Sequence, residues 1–131
     1  MKTTILLLLA GALLCGCANA TISQQESATA NFGTLPSNWQ TVIRGYYSMP
    51  GRLKDPFTAM YRFETPRKGF AQDGAFAGGK RHYGWIVPAW INAKNSFGGY
   101  TGWELHTTFL FEGKVSDISD MLTSGMAGLA R

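Results

Sequence analysis

Apolar positions follow two different patterns along this chain. From Ile5 to Leu14 they run almost without interruption, broken only by Gly11. From residue 35 onward they become periodic. Trp39, Val42, Ile43, Tyr46 and Tyr47 recur at helical spacing, with Ser37 and Gln40 placed as a capping box and Met49-Pro50-Gly51 as a stop. Asp55-Pro56 reads as a second helix start, good for about one turn. Tyr61 to Glu64 then alternates until Pro66, and residues 67–81 read as a long loop with a poor strand around Phe70. His82 to Asn92 alternates strictly: Tyr83, Trp85, Val87, Ala89 and Ile91 share one face. Pro88 lacks an N–H, which predicts an edge strand or a bulge there. Residues 95–102 supply a turn, and Trp103 to Glu112 a partner strand with Trp103, Leu105, Thr107, Phe109 and Phe111 on one side. A short strand at Lys114-Val115 follows.

These elements predict an α+β domain over residues 35–115. One N-terminal helix packs on a small antiparallel sheet of three or four strands. Residues 116–131 are expected to form a weakly structured tail. Half of the leucines lie within the first fourteen residues, whereas every aromatic lies beyond residue 30. The expected core is therefore aromatic: Trp39, Tyr47, Phe63, Trp85, Phe109 and Phe111.

Length and charge narrow the function classes. The 131 residues allow one domain, and a net charge of +4 with dispersed basic groups argues against nucleic acid as a partner. The ten-residue apolar run would span about 15 Å as a helix, too little for a bilayer core that needs roughly 20 apolar residues. It suits the hydrophobic stretch of a signal peptide behind Lys2. Leu14-Cys15-Gly16-Cys17 follows directly and resembles the lipobox of bacterial lipoprotein precursors. That resemblance implies cleavage after Gly16, a diacylglyceryl thioether on Cys17, acylation of the new amino group, and a body without free thiols. Ala18 after the modified cysteine implies, by the same resemblance, sorting to the outer membrane. The alternative is an ordinary secretory signal cut at Ala18-Asn19-Ala20. The expected division is a signal peptide over 1–16 and a lipidated cysteine with a flexible tether over 17–34. Seventeen such residues would reach roughly 23 Å.

A second resemblance covers about residues 37–115. Leu53-Lys54-Asp55-Pro56, followed by Ala59, Tyr61 and Phe63, and Asn92-Ala93-Lys94-Asn95-Ser96-Phe97-Gly98-Gly99-Tyr100-Thr101-Gly102 resemble two motifs of small proteobacterial envelope proteins. Thr58 departs from the serine of the first pattern. The resemblance implies no activity and no catalytic residues.

The 92–102 segment is the candidate partner-binding site, through Asn92, Asn95, Phe97 and Tyr100; the competing reading is a hairpin whose asparagines and glycines serve only its own geometry. Glu104 and His106 share a strand face, and His82 could join them around a metal, although a solvated polar face is the simpler reading and no cofactor is expected. Glu64 and Asp73 are a carboxylate pair with no spacing that argues for acid–base work. No hydrolase, zinc or phosphate-loop motif occurs, so no enzyme is expected. Arg67, Lys68, Lys80 and Arg81 could meet anionic headgroups. The sequence thus points to an outer-membrane lipoprotein that contacts the bilayer through Cys17 and an envelope protein partner through its hairpin. The alternative is a peptidoglycan or glycan binder using exposed aromatics such as Trp90.

Overall fold

The computed structural model describes residues 22–73 and 79–131. Their order is α1 (Gln24–Thr29), α2 (Trp39–Tyr47), β1 (Asp55–Phe63), β2 (Arg67–Gln72), β3 (Arg81–Lys94), β4 (Tyr100–Phe111), β5 (Lys114–Asp117), α3 (Ser119–Thr123) and β6 (Ala127–Leu129). The expected signal peptide and lipidated Cys17 lie outside the described residues. The six strands form one sheet in which every pairing is antiparallel. This overturns the expected architecture of one helix on three or four strands. The protein is dominated by its sheet, and the three helices are short.

Strand β3 is the axis. Strand β4 runs along one edge of it for almost its full length. The other edge is shared: β2 pairs with its first half and β1 with its second. Strand β5 extends β4, and β6 extends β2. The edge position predicted for Pro88 is therefore wrong, for a reason visible in the ladder. Pro88 sits opposite Thr107, whose N–H and C=O turn away to Ser119 Oγ and Ile118 N. The Pro88 backbone thus points to the other edge, where its carbonyl accepts Glu64 N–H at 3.0 Å. The missing donor falls where β1 hands over to β2, at residues 64–66, so a central strand tolerates the proline.

The expected helical turn at Asp55-Pro56 is also replaced, here by nine residues of strand. Asp55 Oδ2 accepts from the Thr58 hydroxyl at 2.8 Å instead of capping backbone N–H groups. Tyr61 and Phe63 gain more by pairing with Ile91 and Ala89 than a lone turn could supply.

Helix α2 packs as its stripe predicts. Ile43, Tyr46 and Tyr47 are buried with Val87, Ala89, Ile91 and Leu110. Trp39, Phe63 and Trp85 line this layer half-buried, and Trp39 meets Phe63 edge-on at 5.3 Å. The opposite face holds a second cluster of Ile86, Phe109, Ile118 and Ala127, with Phe111 and Met121 against it. The largest wholly enclosed side chains are Phe70, Ile22, Ile43, Ile118, Val87 and Thr108. The core is thus more aliphatic than composition suggested.

Both chain ends of the described region are ordered. From Ile22 on, the segment expected to be a tether is docked. Ser23 caps α1, and Ile22 and Phe32 close over Phe70 beside Tyr83. Glu26 Oε1 accepts from Arg81 at 2.8 Å and from the Tyr83 hydroxyl, and Trp85 Nε1 donates to Gly33 O at 3.1 Å. Residues 116–131, expected to be weakly structured, contain α3 and β6 and put Ile118 and Ala127 over Phe109. Among the described residues no helix is long and apolar enough to cross a membrane.

Candidate functional site

Alternation along β1, β3 and β4 sets two rungs on one face of the sheet: Met60–Asn92–Trp103 and Arg62–Trp90–Leu105. This is the face that α3 covers, but α3 reaches only the half around Ile86 and Phe109. The half next to the β3–β4 hairpin has no helix over it among the described residues. Trp90 and Trp103 are half-buried, and Met60 and Leu105 stand 40% and 48% exposed. The Arg62 guanidinium lies 4.1 Å over the Trp103 indole, and Trp90 Nε1 donates to Glu64 Oε1 at 3.0 Å. Arg62, Trp90 and Trp103 line a shallow hollow of about 340 Å³. On its outer side β1 has no partner among the described strands, and β5 covers β4 only from Thr108 to Phe111.

The hairpin closes this end of the sheet. Asn95 Oδ1 accepts from the N–H groups of Phe97 and Gly99, at 3.0 and 3.1 Å. Gly98 turns at φ 83°, a conformation that suits only glycine well. Asn92 is buried and its Oδ1 accepts Gly102 N–H at 3.1 Å, across the register shift between Asn92 and Lys94. Both asparagines therefore use their oxygens to build the hairpin. Phe97 is 96% exposed. The Tyr100 ring is about half exposed, its hydroxyl donating to Thr58 O at 3.1 Å and Lys94 Nζ lying 5.3 Å from the ring centre. Phe57 on β1, 94% exposed, belongs to the same end of the sheet. Of the four sequence candidates, Phe97 and Tyr100 are presented to solvent, whereas Asn92 and Asn95 hold the frame. Sequence reasoning missed Phe57, Met60, Arg62 and Trp103, because nothing local distinguishes an alternating face that is covered from one left open.

The histidines and carboxylates separate into two places. His106 faces α2; its Nδ1 lies 2.9 Å from Asp117 Oδ2 and its Nε2 lies 3.9 Å from Glu104 Oε2. His82 lies on the other face, 3.1 Å from Asp73 and beside the Phe111 ring. Among the described residues no three metal-ligating side chains gather. Glu64 bonds to Pro88 on β3 and Asp73 to Lys80 just before it, roughly 26 Å apart along a strand, so they form no pair. Of the basic residues read as a headgroup patch, Arg81 is held by Glu26, and Lys68 Nζ lies 5.2 Å from the Phe32 ring centre.

Among the described residues Asp117 is the most heavily bonded side chain. Its Oδ2 accepts from His106 and, at 2.9 Å, from the Tyr47 hydroxyl; its Oδ1 accepts from Ser119 N and Ser119 Oγ at 3.0 and 2.6 Å. Burial pushes this carboxyl up, but the bonds from His106, Ser119 and Tyr47 outweigh it and hold it well below the usual carboxylate range. The same bond to Asp117 raises His106 against the opposing effect of burial. Burial and Asp117 together push the Tyr47 phenol far up. The carboxylate is thus ionised and committed to internal donors.

No protein-family model, no curated protein and no solved structure matches the chain.

Proposed function

We propose that the protein is an outer-membrane lipoprotein, anchored at Cys17, whose sheet body is a non-catalytic interaction module. It docks a protein partner on the uncovered half of the sheet. The observation that carries this reading is the pair of tryptophans, Trp90 and Trp103, standing with Met60 and Leu105 on the half of the sheet face that no helix covers among the described residues. Trp, Tyr, Phe, Met and Arg are the residues enriched where proteins bind one another, and buried Trp and Arg anchors carry most of the energy at such contacts. Phe57, Phe97, Met60 and Leu105 favour a protein over a glycan, because stacking on a sugar ring uses flat aromatic faces and gains little from projecting aliphatic groups.

The anchor reading fits the same geometry. Ile22 is buried, so only four residues separate Cys17 from the folded body, a reach of at most about 18 Å when extended. The body would sit close to the headgroups instead of swinging on a long tether. Ile22 packs beside Phe70 and Tyr83, near the start of β3, whereas the hairpin lies at its far end. The twelve residue steps from Tyr83 to Asn95 extend roughly 40 Å, which leaves the open face away from the attachment point.

The test is crosslinking in intact cells with the full chain, wild type against Tyr100→Ala and Leu105→Asp. A discrete adduct that both variants lose is expected, with no co-sedimentation on purified sacculi. Binding to sacculi that Trp90→Ala abolishes, without a protein adduct, would instead establish a glycan ligand and overturn the protein-docking reading.

A further inference from the structure

On the α2 side, away from the open face, the connection between α2 and β1 stands opposite β4 and β5. It leaves an open cleft of about 400 Å³. The Met49-Pro50-Gly51 turn forms one wall, and Tyr47, Arg52, His106 and Asp117 supply its polar groups. A count of donors and acceptors shows what this cleft is missing. A carboxylate offers about four lone-pair positions, and Asp117 receives four hydrogen bonds, from His106, Tyr47, Ser119 N and Ser119 Oγ. It has nothing left to accept with. The Tyr47 proton is already donated to it.

What remains in the cleft donates. Arg52 gives one N–H to the Tyr46 hydroxyl and lies 3.8 Å over that ring, but it forms no ion pair among the described residues. Tyr46 is itself fixed by accepting Asp117 N–H at 3.1 Å, so the guanidinium is seated beside the carboxylate network. His106 gives its Nδ1 side to Asp117, which leaves Nε2 as the outward nitrogen. The charged groups facing His106 are Asp117 on β5 and Glu104 on its own strand. Glu104 Oε2 stands 3.9 Å from that same Nε2, beyond hydrogen-bond length, on a side chain 69% exposed at the rim, so an anion bound here would take its place beside Nε2. A protonated His106, favoured by Asp117, adds a second positive donor to Arg52.

We infer that this cleft binds a phosphate group, held between the Arg52 guanidinium on one wall and His106 Nε2–H on the other. Two cationic donors approaching from different walls match a tetrahedral oxyanion, which presents oxygens in several directions; a planar carboxylate would be satisfied by the guanidinium fork alone. The site is separate from the open sheet face and does not depend on the docking reading. The phosphate can come from a soluble phosphorylated compound or from a lipid headgroup, and the chemistry of capture is the same.

The test uses the full chain in detergent and follows the ring nitrogens of both histidines by NMR. Inorganic phosphate is titrated to 20 mM, on the order of a weak single-site affinity, at pH 6.5 and constant ionic strength. A saturable shift of His106 Nε2, with His82 unmoved, is expected. Arg52→Gln should weaken the apparent affinity by about tenfold through loss of a charge-assisted bond, with the fold retained by far-ultraviolet circular dichroism. His106→Gln should abolish the phosphate-dependent shift of the Arg52 side-chain resonance. Nanodiscs containing phosphatidylglycerol form the second arm. A matching His106 shift there identifies a headgroup phosphate as a source, and a response to inorganic phosphate alone identifies a soluble one. No saturable shift in either arm, an equal shift of His82, or full binding by Arg52→Gln would overturn the proposal.

Discussion

Replacing Asp117 with asparagine isolates the charge that joins α2, β4 and α3. The side chain keeps its shape, and one oxygen can still accept from Ser119. At the other position an NH₂ group replaces the oxygen that takes both His106 Nδ1–H and the Tyr47 hydroxyl, 2.9 Å from each. Bonds to a charged acceptor contribute about 1.5–3 kcal/mol each before screening. The Asp117 and His106 side chains are each 26% exposed, so solvent reduces the ionic part, and about 2 kcal/mol is expected for the two together. For a domain of this size that lowers Tm by about 8 °C. The pH dependence has a definite sign. Asp117 is held below its ordinary value of 3.8, so its contribution is present above that value and is lost as pH falls through the depressed one. His106 is raised above its ordinary value of 6.5, so its contribution is full below 6.5 and is lost as pH rises through the folded value. The gap between wild type and Asp117→Asn should therefore be widest between about pH 4 and 6.5 and should narrow toward pH 8.5. Thermal melts followed by circular dichroism across that range measure it. A gap under about 2 °C at pH 6, or one that widens with pH, would refute the reasoning.

Two glycines should tolerate a methyl group to very different degrees. At Gly84 a Cβ would run into the Leu110 carbonyl oxygen and come within 2.9 Å of Phe109 Cζ, so Gly84→Ala should cost about 3 kcal/mol, the upper end for overpacking. Gly98 has nothing within 4 Å of that position but turns at φ 83°, so Gly98→Ala should cost only about 1 kcal/mol; chemical denaturation ranks the two, and the reverse order would contradict the packing described. Cys17→Ser should abolish incorporation of a labelled fatty acid and leave an uncleaved or mislocalised precursor. Labelling that persists in that variant would transfer the lipid to Cys15 or remove the anchor from the account.

Period was legible in the sequence where it was strong, and topology was not. The alternation of residues 82–92 and 103–111 assigned both long strands and their faces correctly, and the helical stripe from Trp39 to Tyr47 found α2 and its buried side. What failed depends on contacts distant in sequence. Pro88 looked like an edge residue because a single strand does not show that its neighbour breaks at Pro66. Asp55-Pro56 carried a helix signal that pairing with β3 overrode. The segment up to residue 34 read as a tether, yet Phe70, itself assigned to a poor strand, gives Ile22 and Phe32 a shared pocket. At the candidate site, Asn92, Asn95 and the glycines of the motif are accounted for by hairpin geometry, so the distinctive part of the motif is largely structural. The exposed surface beside it arises from where α3 stops, and no local pattern records that.

The central claim is that the hairpin half of the sheet, on the Trp90 and Trp103 face, is where the protein meets its partner. A photo-crosslinking amino acid placed singly at Met60, Leu105 and Phe97, and at Thr41 and Gln40 on the exposed side of α2 as controls, measures this in living cells. One adduct of constant mass from Met60, Leu105 and Phe97, absent from both control positions, is the predicted result. Adducts of equal strength from the α2 positions, or none from Leu105 and Met60, would contradict it.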